Sequence, residues 1–149
     1  MASAGRHIFR ITGTVQGVGF RPTLYRLARD AGLGGWIQNR SGTVDLALEG
    51  AQADIEAFLA RLPTAIPVNA AITAITPQTE EPIDHISPFH IKESGFDEQS
   101  QVTIPADLAI CPDCQAEVLD PADRRYRYSF TTCTNCGPRW TIIDRIPYD

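Results

Sequence analysis

Four cysteines, grouped as two tight pairs, govern what this chain can fold into. Cys111-Pro112-Asp113-Cys114 and Cys133-Thr134-Asn135-Cys136 each place two residues between thiols, and eighteen residues separate the pairs. Residues 1–95 hold no cysteine. Pairs at this spacing suit a tetrahedral ion, because each pair spans one edge of the tetrahedron. Gly137, directly after Cys136, fits a knuckle whose following N–H turns back towards a sulfur. The competing arrangement is four free or disulfide-bonded thiols. The opening stretch Met1-Ala2-Ser3-Ala4-Gly5 has no apolar signal core, so secretion, and disulfides with it, is not expected. Four thiolates leave no open position, so the zinc expected on Cys111, Cys114, Cys133 and Cys136 is structural, not catalytic.

This segregation divides the chain into a first unit over 1–94, a polar linker over 95–104 and a cysteine unit over 105–149. A length of 149 residues accommodates two small units, and 43% apolar residues suffice for a packed core. The formal net charge of −5 argues against nucleic acid as a partner. No apolar stretch approaches a membrane span, so no membrane partner and a cytoplasmic location are expected. The chain closes on Trp140-Thr141-Ile142-Ile143-Asp144-Arg145-Ile146-Pro147-Tyr148-Asp149, an apolar, strand-like stretch unlike a natural polar tail, so it is expected to be cut from a longer protein.

In the first unit, an apolar run at Ile8-Phe9-Arg10-Ile11 leads into Gly13-Thr14-Val15-Gln16-Gly17-Val18-Gly19-Phe20-Arg21-Pro22. An amphipathic run from Thr23 to Ala31 leads out, so the segment reads strand, glycine loop, helix. Pro22 suits the first helical position and Arg21 the cap before it. Gly17 and Gly19 let backbone N–H groups converge beside a helix N-terminus, a hollow that attracts a phosphate-sized anion. The glycine spacing is neither a Walker loop nor a dinucleotide fingerprint, and by itself it also fits a plain turn.

Further along, Gly32 caps the first helix, and a strand carries Trp36 and Ile37 to Asn39. Arg40 to Thr43 form a hairpin turn, and Val44, Leu46 and Leu48 alternate with Asp45 and Glu49. A second helix is expected from Gln52 to Leu62, stopped by Pro63, with Ile55, Phe58, Leu59 and Leu62 inward. A fourth strand is expected from Ala70 to Thr76, then a loop to Pro88 and a short closing strand at Phe89 and Ile91. The order gives an α+β, ferredoxin-like βαββαβ unit, its antiparallel sheet covered on one face by both helices. His7, His85 and His90 are scattered and receive no role; solvent-facing or edge positions are expected for them.

Val15-Gln16-Gly17-Val18-Gly19-Phe20-Arg21 resembles the phosphate loop of the acylphosphatase family, and Gly32-Leu33-Gly34-Gly35-Trp36-Ile37-Gln38-Asn39 resembles its second motif. The resemblance implies that the amides of Gln16, Gly17, Val18, Gly19 and Phe20, with Arg21, hold a phosphoryl group. It implies that Asn39 positions an attacking water. The catalytic pair it assigns is therefore Arg21 and Asn39, on the same sandwich fold.

Between the cysteine pairs, Arg124-Arg125-Tyr126-Arg127-Tyr128-Ser129-Phe130 interleaves basic and aromatic residues. One reading is a nucleic-acid surface. The surrounding Asp113, Glu117, Asp120 and Asp123 favour the other, in which the rings pack the small unit and the arginines face water. With Thr131 to Arg139, this stretch resembles the first zinc finger of the HypF family, carbamoyltransferases that mature nickel–iron hydrogenases; Ser129 departs from its expected proline. The resemblance implies hydrolysis of carbamoyl phosphate with release of phosphate, as the first step of cyanide ligand synthesis. ATP and the transfer of the carbamoyl group to a partner hydrogenase-maturation protein would belong to family domains outside this chain. Two other readings stand beside it: a general acylphosphatase with a structural zinc appendage, and a zinc-finger binding module on an inactive acylphosphatase-like scaffold.

Overall fold

The computed structural model describes residues 4–95, 109–133 and 135–137. The expected linker beyond Gly95 and the apolar stretch from Trp140 lie outside the described residues.

Strand β1 (Gly5–Thr14) is followed by helix α1 (Phe20–Asp30), strands β2 (Gly34–Arg40) and β3 (Thr43–Gly50), helix α2 (Gln52–Ala65), strand β4 (Ala71–Pro82) and a two-residue strand β5 (His90–Ile91). They form one sheet in the order β4-β1-β3-β2-β5. β3 lies antiparallel between β1 and β2, with Phe9 opposite Leu46 and Ile37 opposite the same Leu46. Alternation sends Phe9, Ile11, Val44, Leu46, Leu48 and Ile37 to one face. There they meet Phe20, Leu24 and Ala28 of α1 and Ile55, Phe58 and Leu62 of α2. Leu24, Ile37, Leu46 and Leu62 have 0% exposure, so truncating any of them to alanine would cost about 2–5 kcal/mol. This is the expected α+β sandwich. α1 connects β1 to β2 and α2 connects β3 to β4, each pair of strands running parallel with one strand between them.

The opposite face is held by charge. β3 turns Asp45 and Glu49 to it, yet both are buried, because β1 lays arginines over them. Arg6 Nε donates to Glu49 Oε1 at 2.8 Å, and Arg10 Nε to Asp45 Oδ1 at 2.9 Å. The Ser87 N–H donates to Glu49 Oε2 at 2.7 Å, closing the pair from the loop before β5.

Three boundaries and one side chain differ from expectation. α1 begins at Phe20 with Gly19 as its N-cap in the left-handed region, so Arg21 is inside the first turn and Pro22 is the third helical residue. Burial of Val18 and Phe20, each 1% exposed, fixes that start and overrides the pre-proline preference. α2 continues through Pro63 to Ala65; a proline this close to the C-terminal end removes one donor without dividing the helix. β4 runs to Pro82 rather than stopping at Thr76. It is an edge strand, where a missing N–H at Pro77 can face water, and register shifts at Ile8/Phe9 and Thr12/Gly13 keep it paired to β1. His7 is buried and stacks on Phe9 at 6.3 Å rather than facing solvent.

In the second unit, helix α3 (Pro112–Leu119) starts on Cys111 as N-cap with Pro112 at its first position. Asp120 and Asp123 side chains accept from the Ala122 and Arg125 N–H groups, folding the stretch behind it into turns. Tyr126, Tyr128 and Phe130 are 41%, 55% and 44% exposed. They therefore do not form the packed centre expected of them; the four thiols do.

Candidate active site and metal centre

The loop between β1 and α1 is shaped by what it buries. Val15, Val18 and Phe20 point into the core, while Gly17 (φ 70°) and Gly19 (φ 75°) between them take left-handed turns. Side chains would be strained there, and glycine is not. The first intrahelical bond, Thr23 N–H to the Gly19 carbonyl at 3.2 Å, leaves the earlier N–H groups of α1 without helical partners. No acidic residue occupies that first turn, so the positive end of the helix dipole faces the loop uncompensated by α1 itself.

Asn39, at the end of β2, is 1% exposed and lies on the helix-facing side of the sheet. With its amide oxygen turned to the guanidinium, it accepts from Arg21 Nε and Nη2, each at 3.1 Å. The two residues that sequence places eighteen positions apart are thus brought into contact at the mouth of the loop. Gln16 has a second function that its position in the loop did not disclose. Its Nε2 donates to the Arg40 carbonyl at 2.5 Å and the Thr43 carbonyl at 2.9 Å, stapling the loop across the β2–β3 turn. Asp45 is the other unforeseen member. Besides Arg10 it holds Arg40, whose Nε lies 2.6 Å from Oδ2 but off the donor's axis, an ion pair rather than an aligned hydrogen bond. Neither role has a local signal: the acceptors of Gln16 and the partners of Asp45 come from different strands.

The four cysteines come together although Cys111 and Cys133, like Cys114 and Cys136, lie 22 positions apart in the chain. Their sulfurs lie within 4.8 Å of one another, with contacts of 3.6 Å (Cys111–Cys133), 3.8 Å (Cys133–Cys136) and 3.9 Å (Cys136–Cys114). A tetrahedral zinc with Zn–S of about 2.3 Å demands sulfur separations of about 3.8 Å. The donor set therefore fits that ion, and fits it closed. Burial pushes the Cys136 thiol up, but backbone N–H groups and neighbouring thiols outweigh it and hold the group down at about 6. Burial and the neighbouring sulfurs together push Cys114 up. A cation at the centre would favour the thiolate form that ligation requires. The Asn135 N–H donates to Cys133 Sγ at 3.3 Å and closes the knuckle, while the Gly137 N–H, expected to turn towards a sulfur, donates instead to the Cys133 carbonyl at 2.9 Å.

The second unit touches the first beside the loop. Asn69, after α2, donates to the Asn135 carbonyl at 2.9 Å. Gly137 (φ 78°) is buried so closely on Gly17 that a β-carbon there would overlap the Gly17 carbonyl oxygen. A cleft of about 760 Å³ opens alongside, lined among others by Val18, Gly19, Arg26, Asp113 and Asn135.

A βαββαβ sandwich whose glycine loop, helix N-terminus, arginine and asparagine meet at one end of the sheet defines an acylphosphatase-type domain. The acylphosphatase family profile matches residues 7–91, and the chain belongs to that family. The HypF finger profile matches residues 110–143. Over 141 residues, 94% of its length, the chain is 43% identical to the probable carbamoyltransferase HypF of Methanocaldococcus jannaschii. It spans 18% of that relative's length. It is 40% identical over 87 residues to the acylphosphatase of Moorella thermoacetica, covering 91% of that protein and 58% of this chain. A crystal structure of full-length HypF in a phosphate- and nucleotide-bound form superposes on 100% of this chain and 20% of that one, with a TM-score of 0.85 and 38% identity. The particular likeness is thus to HypF: an acylphosphatase-like domain joined to a HypF-type finger.

Proposed function

We propose that the first unit binds carbamoyl phosphate and hydrolyses it to carbamate and inorganic phosphate, the opening step of a carbamoyl transfer carried on by a longer protein. The contact between Arg21 and Asn39 beside the loop carries this reading. An arginine stays charged and grips phosphoryl oxygens in a fork. The loop amides of Gln16 to Phe20 stabilise charge on those oxygens as the phosphoryl group transfers. As placed, the Asn39 carbonyl serves Arg21, so its amide nitrogen is the end that donates to a water oxygen. Water attacks phosphorus, the bond from phosphorus to the carbamoyl oxygen breaks, and carbamate leaves with the bonding electrons. An asparagine takes no proton near neutral pH, so the water's proton passes to a phosphate oxygen. The rate then comes from positioning and electrostatics.

The second unit holds zinc on Cys111, Cys114, Cys133 and Cys136, and the ion, when bound, supplies a structural crosslink. In the full-length family the carbamate would be activated with ATP and the carbamoyl group passed to a partner hydrogenase-maturation protein for cyanide synthesis. The test is phosphate release from carbamoyl phosphate beside release from a bulkier acyl phosphate such as benzoyl phosphate. Preference for carbamoyl phosphate supports the proposal, and equal turnover points to a general acylphosphatase. No release from either, with salt-sensitive binding to nucleic acid, would leave a finger module on an inert scaffold.

A further inference from the structure

The contact between Gly137 and Gly17 joins the metal centre to the phosphate loop, and neither unit's own chemistry requires it. We propose that the cysteine knuckle is a positioning element for that loop. Gly137 packs on the Gly17 carbonyl and fixes the Gly17–Val18 peptide, so loading of the four-cysteine cluster sets how tightly the loop holds a phosphate-sized anion. This rests on the loop being the phosphate site.

A trans peptide is planar, with its carbonyl and N–H on opposite sides. The Gly17 carbonyl faces Gly137, so the Val18 N–H on the same plane is directed away from the knuckle. Rotating that plane turns the N–H with it. In a loop standing alone the rotation would be easy, because Gly17 tolerates both signs of φ. Here the Gly137 backbone stands close against the carbonyl and restricts it.

Gly137 is itself held from both sides. Its N–H donates to the Cys133 carbonyl at 2.9 Å, and its carbonyl accepts from the Thr132 hydroxyl. The residue before it is Cys136, a member of the cluster. From the first unit, Asn69 grips the same knuckle through the Asn135 carbonyl at 2.9 Å. The knuckle therefore sits between the metal cluster and Asn69, with Gly17 beneath it. An alanine at Gly137 would meet the Gly17 carbonyl and would be strained at its own φ of 78°. Asn69→Ala releases the knuckle without touching the cysteines, the loop or the buried core.

The experiment uses the full chain, zinc-loaded and chelator-stripped, with Asn69→Ala in the loaded form. Inorganic phosphate binding is read by calorimetry, and the Val18 amide by nitrogen-15 NMR. Zinc loading in Asn69→Ala is expected to equal that of the parent. Its phosphate affinity is expected to fall roughly 2- to 12-fold, the loss of one aligned hydrogen bond. The stripped parent should fall at least as far. The Val18 amide should shift in both, while amides of β1 and β3 hold. In turnover the loss should appear in kcat/KM, since the N–H serves the phosphoryl oxygens in bound substrate and in the transition state. Equal affinity in all three forms with an unmoved Val18 amide would overturn the proposal. A loaded parent that binds no phosphate would instead overturn the phosphate reading of the loop. The Val18 signal needs no phosphate and still decides whether the knuckle positions the peptide.

Discussion

Arg21 and Asn39 touch each other, yet in the proposed reaction they act on different partners. Arg21→Ala should weaken inorganic phosphate binding by roughly 1.5–3 kcal/mol, the worth of charge-assisted bonds, as calorimetry would read it. Asn39→Ala should change that affinity far less and lower carbamoyl phosphate turnover by something on the order of 10²-fold, as loss of a positioned group does. Parental turnover in Asn39→Ala would dismiss the water-positioning role. Motif resemblance named both residues, but nothing in the chain's periodicity placed them together; their meeting depends on β2 ending level with the loop, a tertiary fact. Glu49 teaches the same lesson about charge. Its alternation with Leu48 marks it as outward-facing, and it is 1% exposed all the same. Burial pushes its carboxyl up, but the Ser87 N–H and Arg6 outweigh that and hold it below its ordinary value of 4.5. A carboxyl lowered by folding adds stability above its ordinary pKa and loses it as pH falls through the folded one. Glu49→Gln should therefore cost about 1–3 kcal/mol in urea unfolding at about pH 7 and much less at about pH 3, flattening the acid limb.

At the scale of elements, the apolar periodicities of α1, α2 and β3 were legible because each buries one face in a single core. The ends were less so, because tertiary contacts set them. β4 outran its expected end through six more residues, Pro77–Pro82, by pairing with β1, and the cost of Pro77 is small at an edge. The exposure of Tyr126, Tyr128 and Phe130 was illegible for the opposite reason: a unit centred on four sulfurs does not need the rings that a larger unit would bury. The β1–β4 pairing makes Gly13 a sensitive position. Its φ is 132°, and a β-carbon would overlap the Ala71 carbonyl across the ladder. Gly13→Ala should destabilise the first unit, as urea unfolding reads it, by at least the roughly 1–3 kcal/mol that such backbone strain costs. Gly32 is also at positive φ, 69°, but in the left-handed region and with open space around it, so Gly32→Ala should cost clearly less than Gly13→Ala.

For the whole molecule, stability is divided as the cysteines are. The first unit closes its core with residues between Phe9 and Phe89, and no thiol takes part. The second unit's buried cluster is Cys111, Cys114 and Cys136, with Cys133 packed against it. Among the described residues, that centre stripped of a cation offers few apolar contacts to set against the entropy of ordering α3 and its turns. Where a structural zinc is bound, its binding energy is folding energy for so small a unit. The purified chain should accordingly contain one zinc, and chelation should unfold the second unit while the first persists. Amide hydrogen exchange reads this directly. After chelation, amides of α3 should lose protection, while those of β1 and β3, paired in the sheet centre, should keep theirs. Protection near Gly17 and Asn69 should fall partway, because the knuckle that covers them is gone. Loss of protection throughout β1 and β3 would mean that the units form one cooperative body. Unchanged protection in α3 would mean that the thiol cluster needs no metal to fold.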